Sequence, residues 1–213
     1  MKRRQVLKKL GLGGVALVVT PTVLSLLQSC KNDLVFETVF ISKPQGQALK
    51  HIVDLIIPSD DDIPGAVDLG VHQFIDSYWS EVLSVETQVQ IKAGFDALAN
   101  RLLDVTGKTF ENADAQDYDN LLSKYLTASI EQENAFNKSL GEYYQVYQKD
   151  KTVALDQDAG AFGLLGNIRG MTIWGWKTSE EIGENVLAYD AVPGTQVGCL
   201  PLSEATGGKA YSL

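Results

Sequence analysis

Histidine and cysteine are scarce in this chain, two of each in 213 residues. A hydrolase triad needs a nucleophile held by a histidine and a carboxylate, but His51 and His72 both fall early, on segments with helical periodicity, and no Gly-x-Ser-x-Gly elbow follows. Zinc and haem spacings are missing too. No Lys/Arg cluster occurs after Ser29, so the electrostatic footprint of a nucleic-acid binder is absent. Gly160, Gly163 and Gly166 recur every third residue, which is not the dinucleotide fingerprint, and Thr206-Gly207-Gly208-Lys209 lacks phosphate-loop spacing. Those glycines suit close helix packing instead. Internal repeats, low-complexity tracts and a composition break marking a second domain are also lacking. The residues therefore point to no catalytic cluster, metal site, cofactor site or nucleic-acid role in this chain.

What is present begins with a leader. Lys2, Arg3, Arg4, Lys8 and Lys9 precede a glycine-rich apolar run, Gly11 to Val19, broken at Pro21 and resumed from Val23 to Leu27. Such a segment reads as a secretory signal rather than a core helix, with an uncleaved membrane anchor as the alternative. Arg3-Arg4-Gln5-Val6-Leu7-Lys8 resembles the twin-arginine export motif, although Lys2 stands where Ser or Thr is usual and Val6 where Phe is usual. The run is only mildly apolar, which suits that route. Leu27-Gln28-Ser29-Cys30 resembles a bacterial lipoprotein box, with Cys30 as the lipidated residue. The expected organisation is a cleaved leader over 1–29, a lipidated tether and extended arm over 30–44, and one domain over 45–213. The expected place is the periplasmic side of a bacterial membrane.

Processing sharpens the charge. The leader holds five of the 18 basic residues and no acid, leaving 13 against 27 acidic, a net charge of −14. Membrane contact then comes through lipid, not through charge. With Cys30 lipidated, Cys199 has no internal partner, so it is either a buried unpaired thiol or the site of an intermolecular bridge.

The body reads as all-α, six or seven helices around a single core. Leu34 to Ile41 is β-prone, a short strand or an extended arm. From Gln45 the residues Leu49, Ile52, Val53, Ile56 and Ile57 share one helical face that ends at Pro58. Ser59 to Gly65 lacks calcium-loop spacing and reads as a solvated turn. A second helix starts near Gly65 or Asp68, with Val71, Phe74, Ile75, Tyr78, Trp79 and Val82 as its buried stripe. Asp68, His72 and Asp76 recur on it at four-residue spacing, a polar stripe or, as the sharper alternative, a metal site. Glu86 to Val105 is a third helix, stopped at Thr106-Gly107. A fourth is capped by Asn112 or Asp114 and runs through Tyr118, Leu121, Leu122, Tyr125, Leu126 and Ile130. Glu131 to Lys149 is a weaker helix with a break expected at Gly141. Asp156 to Gly160 reads as a linker and Ala161 to Trp174 as a helix, with Arg169 expected in a salt bridge to nearby acids or, as the alternative, at a bound anion.

Met171 to Leu202 is the most distinctive stretch. Trp174 and Trp176 flank Gly175; Thr178 or Ser179 can cap a helix carrying Glu180, Glu181 and Glu184; Tyr189-Asp190 then leads to a Pro193-Gly194 turn and Cys199. It offers aromatic area without an acid, base or nucleophile cluster. It reads as a docking surface, with Trp174, Trp176, Tyr189, Pro193, Gly194 and Cys199 as contacts, or as a packed closing element in which the indoles are buried.

The leader, Ile56-Ile57-Pro58 followed by Ile63-Pro64-Gly65-Ala66, and Trp174-Gly175 through Tyr189-Asp190 to Val192-Pro193-Gly194 together resemble the gluconate 2-dehydrogenase subunit 3 family. The resemblance implies a small non-catalytic subunit that escorts, stabilises and anchors a flavoprotein sugar or polyol dehydrogenase of the glucose-methanol-choline type. It implies FAD in that large partner, with a cytochrome c as candidate electron acceptor. The lipobox cysteine departs from the usual form of the family. A free-standing lipoprotein that binds a ligand or metal, or is itself an enzyme, is the alternative from another class.

Overall fold

A computed structural model describes residues 36–192, 194–195 and 198–212. Arg3, Arg4, Cys30 and Pro193 lie outside the described residues. The compact unit runs from Phe36 to Leu213. Its described residues form seven α-helices and one π-helix and no strand, in keeping with the all-α expectation. They are α1 Lys43–Ile56, α2 Val71–Glu81, α3 Val85–Thr106, α4 Ala115–Leu126, α5 Ile130–Tyr147, α6 Gln157–Lys177, the π-helix Glu181–Val186 and α7 Leu202–Thr206.

Helix α6 is the central element, packing against α1, α2, α3, α4 and α5. Its sequence explains this, since Ala159, Ala161, Leu164, Leu165, Ile168 and Thr172 are all buried and small residues admit close neighbours. A Cβ on Gly160 would lie 2.7 Å from the Ala97 Cβ of α3, so the α3–α6 approach requires glycine there. Gly166 has nothing within 4 Å, and its place in the glycine series has no packing cause. Facing α6 are Leu49, Ile52 and Val53 of α1, Ile75 and Trp79 of α2, Phe95, Leu98 and Leu102 of α3, and Tyr118, Leu121 and Tyr125 of α4, forming one apolar cluster. Arg101, Lys124 and the Tyr125 hydroxyl converge on Asp158 Oδ1 at 3.3, 2.6 and 2.6 Å, tying α3, α4 and α6 at one rim.

Caps set most boundaries. Ser42, Ser84, Asp114, Ser129 and Asp156 stand at N-caps, with a reciprocal capping box at Ser42, Asp114 and Ser129. Gly107 takes φ 71° and ends α3 where Thr106-Gly107 was expected to stop it.

Several expectations are corrected. Of the two readings of Leu34 to Ile41, the short strand does not form over the described residues from Phe36, where the chain bends at 39–41. Helix α1 begins at Lys43 because Ser42 caps it and Pro44 suits the first turn, where the missing N–H costs nothing. Helix α2 begins at Val71, after a turn through Asp68, and Phe74 and Val82 of its expected buried stripe are exposed. Ile130 belongs to α5, since Ser129 caps a new helix. Gly141 does not break α5; it is exposed and clear of neighbours, so it costs helix propensity without opening a gap. The expected linker at 156–160 is the first turn of α6, with Asp156 accepting the Ala159 N–H at 2.8 Å. Past α6, Thr178 and Ser179 bond back to Trp174 and Trp176 carbonyls and finish that helix instead of capping another. Arg169 is exposed and makes no ion pair among the described residues.

Candidate partner-binding surface

The Ser59–Gly65 loop is closed from within. Asp60 accepts the Asp62 and Ile63 N–H groups at 2.8 and 2.7 Å, which holds its carboxyl below the ordinary carboxylate range. Ser59 Oγ accepts the Gly65 N–H and donates to Asp68, and the Ala66 N–H reaches the Ile57 carbonyl at 2.9 Å. A Cβ at Gly65 would strike the Pro58–Ser59 backbone, so glycine is required for this closure. The loop is then pinned from far along the chain: the Trp176 indole N–H donates to the Pro64 carbonyl at 3.0 Å. The Ile57-Pro58, Pro64-Gly65-Ala66 and Trp-Gly-Trp segments are thus parts of one junction.

Gly175 completes that junction. A Cβ there would lie 3.1 Å from both Val71 Cγ1 and Phe74 Cδ1, so its absence lets the first turn of α2 seat against the end of α6. The consequence lies outside the core. Trp174 packs 5.3 Å from Phe74 and 5.6 Å from Tyr78, which are themselves 5.9 Å apart, in tilted and edge-on geometry. Phe74 stays 38% and Trp174 42% exposed. The two tryptophans therefore part company: Trp176 is half-buried against the core with its N–H bonded, and Trp174 faces outward in an aromatic trio.

Beyond α6, the Ala188 N–H donates to the Ala210 carbonyl and the Ser212 N–H to the Ala188 carbonyl, both at 2.9 Å. This pairing closes the segment between them into a loop. Tyr189 and Gly194 are exposed on it, and Asp190 accepts the Val192 N–H at 3.2 Å, an Asx turn ahead of the Pro193-Gly194 step. Cys199 is exposed and unpaired among the described residues, in a turn at φ 60°, so the expectation of a buried thiol is corrected, while an unpaired thiol stands. A shallow hollow of about 170 Å³, lined by Lys177, Thr178, Ser179, Tyr189 and Ser212 among others, joins the end of α6 to this loop.

The Asp68, His72 and Asp76 stripe does not assemble as ligands. Asp68 precedes α2 and bonds Ser59. Asp76 is buried and accepts the N–H groups of Val39, Phe40 and Ile41 at 2.6, 3.2 and 3.1 Å, clasping the arm to α2. His72 is 5% exposed beneath Phe36, whose ring meets it edge-on at 4.9 Å. No group of three His, Cys, Asp or Glu is placed to hold a metal ion among the described residues. Likewise no described helix is long and apolar enough to cross a membrane.

Sequence reasoning missed Phe74 as a surface residue by assigning it to the buried stripe, whereas Tyr78 of that stripe is half-buried and packs against both the core and Trp174. The available signal was the pair of aromatics four residues apart on α2, together with a glycine between two tryptophans that implies a close neighbour. In comparison with known proteins, a family model described as gluconate 2-dehydrogenase subunit 3 matches residues 43–194, well over half of the chain. No curated protein and no solved structure matches.

Proposed function

The chain belongs to the gluconate 2-dehydrogenase subunit 3 family, and on that premise we propose that it is the non-catalytic small subunit of a flavoprotein dehydrogenase complex. In this reading it escorts, stabilises and anchors a FAD-dependent, glucose-methanol-choline-type sugar or polyol dehydrogenase during twin-arginine export. FAD belongs to the large partner, and a cytochrome c is the candidate electron acceptor. The lipid on Cys30 holds the complex at the periplasmic side of the membrane. Trp174, Tyr189, Pro193, Gly194 and Cys199 contact the partner, with Trp176 bracing the surface from behind.

The family match carries this reading. Physical logic supports it, because a flavin enzyme that acquires its cofactor in the cytoplasm crosses the membrane folded, and one leader on a tightly bound small subunit then serves both chains. The residues add support from the other side: the distinctive C-terminal segment presents aromatic area on its outer face.

The test changes Arg3 and Arg4 together to Lys and follows both chains by fractionation. Retention of this chain and of the flavoprotein in the cytoplasm is expected. Normal export of the flavoprotein would sink the escort role.

A further inference from the structure

We infer that the face built by Phe74, Tyr78 and Trp174 is the seat of the dehydrogenase subunit, docked through an apolar, charge-poor patch of that partner. This rests on the proposed function for the existence of the partner; the choice of face rests on the structure. Helix α2, unassigned to any contact by the sequence, supplies two of the three side chains.

Charge distinguishes this face. The chain carries 27 acidic residues, yet from Leu69 to Ser80 the sole charged side chain is Asp76, and Gly170 to Trp176 contains none. Asp76 is buried and occupied by three backbone N–H groups. The trio thus forms a charge-poor aromatic centre, bounded by exposed Glu81 at the end of α2 and half-buried Lys177 at the end of α6, with Ile173 and Val82 exposed beside it. Charged groups are depleted and aromatic groups enriched at the centre of protein interfaces, where a few side chains dominate the binding energy.

The same charge selects the occupant. A second copy would bring two bodies of net charge −9, or −14 after loss of the leader, into contact through a face whose centre has no countercharge and whose rim has Lys177 set against Glu81. A different protein with an apolar patch and less negative charge meets a smaller penalty. The trio alone exposes too little area for a stable interface of about 800 Å² per partner, so it is the centre of a wider contact that takes in Ile173 and Tyr189.

The experiment uses the full chain, tagged and purified from membranes, with flavin recovered alongside it as the readout. Trp174→Glu and Phe74→Glu are each compared with wild type, with the milder Trp174→Ala, and with Leu103→Glu, an equal charge on an exposed position of α3. Circular dichroism checks that every variant folds. Recovered flavin is expected to fall about tenfold or more in the two Glu variants and to fall measurably in Trp174→Ala, with Leu103→Glu close to wild type. Flavin retained by folded Trp174→Glu overturns this inference and leaves the proposed function standing. Flavin absent from wild type sinks both. A wild-type dimer in sedimentation that Trp174→Glu dissolves, or binding of the unlipidated chain to neutral lipid vesicles that Trp174→Glu abolishes, assigns the face to another occupant and also overturns it.

Discussion

His72 and Asp76 show how a polar pair can look like a site and act as structure. The buried positions of α2 are Val71, His72, Ile75, Asp76 and Trp79, so its inward stripe includes two polar side chains, and hydrophobicity alone rotates the expected stripe toward Phe74 and Tyr78. That rotation hid the aromatic face from sequence reasoning. Asp76 is needed inside because the arm arrives with three unpaired N–H groups, and buried donors left unmade are costly. His72 has a different consequence. Burial, and then the nearby Lys50 charge, lowers its pKa to about 4, and its Nδ1 has no hydrogen-bond partner. As pH falls below about 6.5 the unfolded chain takes up this proton before the folded one does, so stability is full above that value and is lost toward pH 4. The loss reaches at most about 3 kcal/mol. His72→Met removes the titration and the orphaned nitrogen. Unfolding free energies from urea titration at pH 7 are expected to change by less than about 1 kcal/mol, while the fall between pH 6.5 and 4.5 shrinks relative to wild type. An unchanged acid slope would show that His72 is not its source.

Helices were readable wherever one apolar stripe and a cap coincided. α3 and α4 appear nearly as expected because Gly107 and Asp114 mark their ends, whereas α6 was shortened because Asp156 to Gly160 looks polar and flexible in one dimension. Gly160 is there for a neighbour that the sequence does not name. The glycine series on α6 provides the comparison that proves the point. Alanine at Gly166 meets nothing and gains helix propensity, so Gly166→Ala is expected to stabilise by about 0.5–1 kcal/mol. Alanine at Gly160 gains the same propensity but drives its Cβ against the Ala97 Cβ and the Leu155 side chain, so Gly160→Ala is expected to destabilise by about 1–3 kcal/mol net. Chemical denaturation of the two variants reads the difference directly, and equal effects would contradict the close α3–α6 approach.

At the scale of the whole molecule, a strongly acidic body carries an aromatic face with an uncharged centre, and these two features predict different association physics. A partner held by the acidic surface would bind through countercharges, with affinity falling steeply as salt screens them. A partner seated on Phe74, Tyr78 and Trp174 buries apolar area, which salt does not weaken. The junction behind the trio makes this face rigid before binding: Gly175 fixes the α2–α6 approach, Trp176 is bonded to Pro64, and the loop under it is closed by Ser59, Asp60 and Gly65. Preorganisation of this kind lowers the ordering cost of association. Recovery of the proposed flavoprotein partner with this chain is therefore expected to change less than about threefold between about 0.05 and about 0.5 M sodium chloride. A loss of tenfold or more over that range would place the contact on the acidic surface, and Trp174→Ala would then leave recovery unaltered in low salt. The pairing of the two measurements matters, because salt resistance with sensitivity to Trp174 is the combination that only an apolar seat at this face produces.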